Sequence, residues 1–157
     1  MTANDEPKSE REIVIERIVE APRERVWQAW TQAEHIAKWW GPNGFSTTIH
    51  EMKVSVGGVW RFIMHGPNGM NFPNKIVFRE VVRPERLVYD HSPDDGKDIR
   101  DFQSVATFAD LGQKTKVVLR LRFDTNQGYE AAAKYAIAGA NQTLARLDQH
   151  LAGMEVS

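Results

Sequence analysis

The sequence predicts an α+β fold: a curved antiparallel sheet of seven strands, two short helices after the first strand, and a long C-terminal helix lying on the sheet. Three observations carry it. Six runs between residues 45 and 123 read as strands, "FSTTIHEMKV", "VWRFIMHG", "NKIVFREVV", "RLVYDHS", "DFQSVATFAD" and "TKVVLRLRF". Short Gly-, Pro- and Asn-bearing turns separate them, and connections this short make neighbours antiparallel. Near the end of the chain Tyr129, Ala133, Ile137, Ala140, Leu144, Leu147 and Leu151 recur at steps of three or four. That is the period of a helix with one apolar side, which needs a sheet face to lie against.

Taken in order, "REIVIERIVEAP" supplies a first strand with charged residues between its isoleucines and an irregularity at Glu16-Arg17-Ile18. Pro22 suits the first turn of a helix, since its missing N–H would find no partner there anyway. Val26, Ala29 and Trp30 share one face of that helix. Thr31-Gln32-Ala33-Glu34 then reads as a capping box that opens a second helix, "AEHIAKWW", closed by Gly41-Pro42. In "TKVVLRLRF", Val117, Leu119, Leu121 and Phe123 face one way and Lys116, Arg120 and Arg122 the other, with Val118 among them. One sheet face is therefore expected to be buried and the other wet. The last helix is expected over residues 127–151, with tails at 1–10, expected to be flexible, and 152–157 flanking one domain at 11–151.

Composition narrows the function. A chain of 157 residues is long enough to bury a core without staples. Its 20 basic and 21 acidic residues give a net charge of −1, which steers it toward neither nucleic acid nor an anionic membrane. With no cysteine there is no disulfide, no thiolate metal site and no cysteine nucleophile. The charged start "MTANDEPKSERE" has no apolar leader, and no run reaches the ~20 apolar residues of a membrane span. A cytoplasmic protein, monomeric or homodimeric, is expected.

The set "EAPRERVWQAWTQAEHIAKWWGP", "GGVWRFIMHGPNG", "FREVVRPERLVY" and "GANQTLARLDQHL" resembles the Hsp90 ATPase activator branch of the START-like (SRPBCC) superfamily. The resemblance covers residues 11 to 151, with four motifs in order on the right elements. It implies the helix-grip fold shared with birch pollen allergen and polyketide cyclases, in which the curved sheet grips the C-terminal helix and a cavity often lies between them. It also implies three classes of function: carriage of a small hydrophobic molecule (a lipid, polyketide or aromatic metabolite), polyketide cyclase or aromatase chemistry, and docking to an Hsp90-like protein. The activator itself has a further N-terminal domain, which a chain of this length is not expected to hold.

The candidate cavity lining is aromatic. Trp60, Phe62 and Met64 alternate on one side of their strand, and Trp30, Trp39, Trp40, Phe45, Phe78, Tyr89, Phe102 and Phe108 join them. From the last helix come Ile137, Ala140 and Leu144. Such rings either fill a core or wall a pocket for flat apolar guests. Where the family commonly has Gly-Trp, this chain has Gly139-Ala140, which releases space beside Ala140. Trp39 and Trp40 point about 100° apart on a helix. The resemblance favours Trp39 as the buried plug and leaves Trp40 for the cavity mouth or a partner.

For chemistry the polar candidates are His50, Glu51, His65, Arg79, Glu80, Tyr89 and His91. No HExxH, GxSxG or other fixed catalytic motif is present, so no catalytic residue is assigned. His35 and His150 sit on helix surfaces. "DHSPDDGKD" fails the EF-hand spacing at His91 and Pro93, and no GxxxxGK occurs, so neither a metal nor a nucleotide cofactor is expected. Arg120 and Arg122 lack stacking aromatics, which leaves nucleic-acid binding without support.

Overall fold

The computed structural model describes residues 11–97 and 99–154. The tail expected at 1–10 and the last three residues lie outside the described residues. Seven strands form one antiparallel sheet in the order β1-β7-β6-β5-β4-β3-β2. In chain order they are β1 (Glu12–Val19), helices α1 (Arg23–Thr31) and α2 (Ala33–Ile36), β2 (Ser46–Met52), β3 (Val59–His65), β4 (Asn71–Val82), β5 (Arg86–Pro93), β6 (Phe102–Asp110), β7 (Thr115–Arg122) and α3 (Asn126–Met154). This is the helix-grip arrangement. Consecutive strands from β2 to β7 pair as hairpins, and β1 closes onto β7 across the length of the chain.

The inner face follows the alternation along each strand. Trp60 and Phe62 on β3, Phe78 on β4, Leu87 and Tyr89 on β5, Ala106 and Phe108 on β6, and Val117 on β7 are all buried in one core. On that face α3 lays Leu144, Leu147 and Leu151. α1 packs its Val26, Trp27, Ala29 and Trp30 side against the same core, with Trp30 and Phe108 ring centroids 5.3 Å apart.

Several expectations are corrected. β1 shows no irregularity: its pairing with β7 is continuous from Glu12 to Val19, so Ile18 points outward and is exposed. Arg17 takes the inward position and reaches α3, where its Nη2 donates to Asp148 at 3.3 Å. The capping box is absent. α2 begins after Gln32 with no side-chain cap, and the Thr31 hydroxyl donates back to the Trp27 carbonyl at 2.7 Å. α2 is also a single turn rather than eight residues; beyond Ile36 the chain tightens into turns, with Trp39 N donating to Ile36 O. α3 runs three residues past its expected end, to Met154. Nor is the outer sheet face wholly wet. Glu12, Val88, Val105, Val118 and Arg120 are buried there, and the Glu12 carboxylate accepts from Arg120 at 2.9 Å and Arg122 at 2.6 Å. Charge pairing of this kind is what allows a carboxylate to leave water.

Candidate functional site

Between the sheet and the first half of α3 lies a cavity of about 370 Å³. Its floor is the inner face of β5, β6 and β7, through Tyr89, His91, Phe102, Ser104, Leu119 and Leu121. Its roof is one row of α3, Ala132, Ala136, Ala140 and Leu144, at steps of four and therefore on a single helix face. Three of those four carry only a methyl. Side chains this short leave the gap between helix and sheet unfilled, and that is the local origin of the space.

One end is closed by tryptophans. Trp30 from α1 and Trp40 from the segment after α2 both line the cavity, with ring centroids 6.1 Å apart. Behind them Trp60 packs edge-on against Trp40 at 5.0 Å and stacks on Phe62 at 4.2 Å. The rim is Gly41-Pro42, together with Met64. Gly41 has φ of 109°, and a Cβ there would meet Met64 Cε at 3.0 Å and Phe45 Cβ at 3.2 Å, so glycine is needed both for conformation and for space. Arg146 of α3 ties this rim down by donating from Nη1 to the carbonyls of Gly41, at 2.8 Å, and Pro42, at 3.1 Å.

The aromatic candidates therefore divide. Trp30, Trp40, Met64, Tyr89, Phe102, Ala140 and Leu144 line the cavity. Trp60, Phe62, Phe78 and Phe108 point inward but are packed solid in the core behind it or beside it. Trp39 is fully buried, its indole N–H donating to the Ala29 carbonyl at 3.1 Å, and it takes no part in the wall. Phe45 packs on Phe72 at 6.2 Å on the far side of the rim. Ile137 faces away and is 48% exposed, because it falls off the row that carries Ala136 and Ala140.

Sequence reasoning did not place Ser104, Leu119, Leu121, Ala132, Ala136 or Thr143 in the wall, nor His91, which it weighed only as a polar group. The signals were present. His91 lies two residues from Tyr89 on one strand, and Ala132 and Ala136 repeat the step of four from Ala140.

Polar groups in the wall are few and mostly spoken for. The Tyr89 hydroxyl is hydrogen-bonded with Ser104 and with Trp30; burial, outweighing both, raises its pKa well above the usual phenol value. Thr143 donates to the Gly139 carbonyl at 2.8 Å. His91 has ring contacts with Phe102 at 4.8 Å and Phe62 at 6.0 Å, and burial pulls its pKa down to about 4, so the imidazole is neutral near pH 7. Among the described residues no lysine or arginine lines the cavity, and no group of three or more His, Asp or Glu is placed to hold a metal.

The other polar candidates lie elsewhere. The β-bulge between Phe78 and Glu80 turns both Arg79 and Glu80 outward, where Glu80 pairs with Arg86 at 3.6 Å and Arg79 with Asp90 at 2.7 Å. Asp90 is desolvated, which favours its acid form, but hydrogen bonds from Arg79, Arg100 and Gln103 outweigh this and lower its pKa. His50 is exposed, Glu51 pairs with Arg61 at 3.0 Å, and His65 bonds Thr48 and Asn71 on the outer face. His35 and His150 meet each other, Nδ1 to Nε2, at 3.0 Å between α2 and α3. A second depression of about 500 Å³ lies beside α1 and is walled by Glu24, Arg25, Gln28, Gln32 and Arg83 among others, a lining too polar for an apolar guest.

A curved seven-stranded sheet gripping a long helix over an apolar cavity defines a helix-grip protein. Residues 20–152 match the family described as Activator of Hsp90 ATPase homolog 1-like protein, and the chain belongs to that family. Among solved structures it is similar to a protein from Nitrosomonas europaea, with a TM-score of 0.83 at 21% identity over 95% of this chain and 99% of that one. It is also similar to a protein from Chromobacterium violaceum, with a TM-score of 0.76 at 24% identity over 88% and 95%. An AHSA1 protein from Silicibacter pomeroyi superposes with a TM-score of 0.70 at 18% identity over 90% and 97%. At these identities the likeness is one of fold. No curated protein matches the chain. Among the described residues no helix is long and apolar enough to cross a membrane.

Proposed function

We propose that this protein binds a small, largely apolar molecule in the cavity between the sheet and α3. The observation that carries the reading is the cavity itself: about 370 Å³, within the range of small-molecule sites, walled by Trp30, Trp40, Met64 and Phe102 and roofed by methyl groups. Apolar walls of this kind favour a guest by removing its surface from water.

The polar trio of Tyr89, His91 and Ser104 inside the wall raises the enzyme reading expected of cyclase-like relatives. The pKa directions weigh against acid–base work near neutral pH, since the His91 pKa is pushed down to about 4 and that of Tyr89 is raised away from pH 7. These groups serve better as fixed hydrogen-bonding points. Docking of an Hsp90-like partner through Trp40 is not favoured either, because that ring is only 9% exposed.

Native mass spectrometry of protein purified from its own host tests the reading. A co-purifying small molecule lost from the Ala140→Trp variant is the expected result. A cavity that takes up neither host molecules nor added aromatic probes would end it.

A further inference from the structure

The cavity presents one hydrogen-bonding atom whose role is fixed by what stands behind it. Asn74 on β4 donates from its Nδ2 to the Phe72 carbonyl at 2.7 Å, which settles the orientation of its amide. Its Oδ1 must therefore accept from the His91 ring at 2.9 Å, and His91 Nε2 must carry the proton. The neutral imidazole then has its lone pair on Nδ1. No hydrogen-bond partner for Nδ1 occurs among the described residues, and His91 forms part of the cavity wall. Nδ1 is not sealed from solvent, and beside Phe62 and Phe102 it offers a lone pair that a donor entering the cavity can reach. Of the hydroxyls in the wall, those of Tyr89 and Ser104 are hydrogen-bonded to each other, that of Thr143 donates to the Gly139 carbonyl, and Tyr135 is 77% exposed.

We infer that the guest is an uncharged aromatic alcohol or comparable hydroxyl-bearing ring compound whose O–H donates to His91 Nδ1 while its apolar body lies against Trp30, Trp40 and the alanine row of α3. This deepens the cavity-binding reading and rests on it. Carboxylates are disfavoured on two counts: the wall holds no cation to receive them, and their oxygens would face the lone pair of His91. Fatty acids are thereby set apart from phenols and sterol-like alcohols, although both classes are apolar.

Isothermal titration calorimetry near neutral pH tests this with three probes of one shape, para-phenylphenol, para-methylbiphenyl and biphenyl para-carboxylate, on the wild type and on His91→Phe. The phenol is expected to gain about threefold to tenfold over the methyl analogue in the wild type relative to the variant, the worth of one hydrogen bond. The carboxylate is expected to bind weakest in the wild type. If phenol and methyl analogue keep the same ratio in both proteins, the His91 handle is overturned while the cavity reading survives. If none of the three binds, the cavity reading falls and takes the handle with it. Should His91→Phe fail to fold, ring-nitrogen NMR of the wild type decides. The expected spectrum has a protonated Nε2 and a bare Nδ1 that shifts when para-phenylphenol is added but not with para-methylbiphenyl; an Nδ1-protonated ring, or no shift, overturns the inference.

Discussion

Leu144, Leu147 and Leu151, in the second half of α3, are fully buried against the sheet, whereas Tyr135 and Ile137, earlier on the same helix, are 77% and 48% exposed. Both halves carry apolar residues at helical spacing. What differs is side-chain length on the face turned to the sheet. Leucines there reach the core and close it. Alanines at 132, 136 and 140 leave a gap of about 370 Å³; Ile137 is turned toward solvent, Tyr135 is largely exposed at the cavity's edge, and Tyr129 packs on Phe123. One helix thus works as a structural clamp at one end and as a cavity roof at the other.

That contrast can be broken most severely at the clamp. Leu147→Ala removes a fully buried side chain and is expected to cost about 2–5 kcal/mol of unfolding free energy, read by urea denaturation. A loss well under 1 kcal/mol would mean that the clamp end does not hold the fold. Next in size comes the pH response of the cavity. The folded protein keeps His91 neutral down to about pH 4, while the unfolded chain takes up its proton near 6.5. Between those values the unfolded state binds more protons, so this stability is complete above 6.5 and is lost as pH falls toward 4. The loss is on the order of 3 kcal/mol. His150 is lowered by desolvation, then by His35 and Lys38, and acts in the same sense. Denaturation at about pH 7.5 and about pH 4.5 should show a smaller drop for His91→Phe than for the wild type. Equal drops would place the titration elsewhere.

At the roof, Ala140→Trp should seat a ring in the space and weaken para-phenylphenol at least about tenfold, with unfolding free energy held within about 1 kcal/mol because the volume already exists. Collapse of the fold, or unchanged affinity, would show that Ala140 borders no usable space. The smallest effect belongs to the face the helix turns outward. Ile137→Ser is expected to change stability by no more than about 0.5 kcal/mol and to leave probe binding unaltered. A large loss there would mean that Ile137 is covered in the working protein.

Periodicity explains why the fold was legible and the site only half so. Alternation in "VWRFIMH" tells which side Trp60, Phe62 and Met64 occupy, but not how deep along the strand the packing stops and the cavity begins. Met64 reaches the cavity, and Trp60 and Phe62 do not. The apolar stripe of α3 was read as one face, yet a row at steps of four excludes Ile137 while keeping Ala136 and Ala140. The outward facing of Glu80, the favoured alternative for a carboxylate on this strand, has a different origin. One extra residue in β4 reverses the facing that alternation assigns, and a bulge leaves no mark in the pattern of "FREVV". Helical spacing separates Trp39 from Trp40, but only the resemblance says which is the plug, and α2 is shorter than the helix that spacing assumes; both rings belong to the core, and Trp40 alone of the two reaches the cavity wall.

The position of β1 at one edge of the sheet has a consequence in the time of synthesis. Among the described residues its strand partner is β7 alone, and Glu12 is 110 residues from the Arg122 that helps neutralise it. At roughly 5–20 residues per second, β1 emerges from the ribosome about 5–20 s before β7 exists to pair with it. Through that interval Ile13, Ile15 and an unpaired backbone edge wait in solvent, while β2 to β6 are able to zip as successive hairpins. The last strand made is the one that retires the first from aggregation.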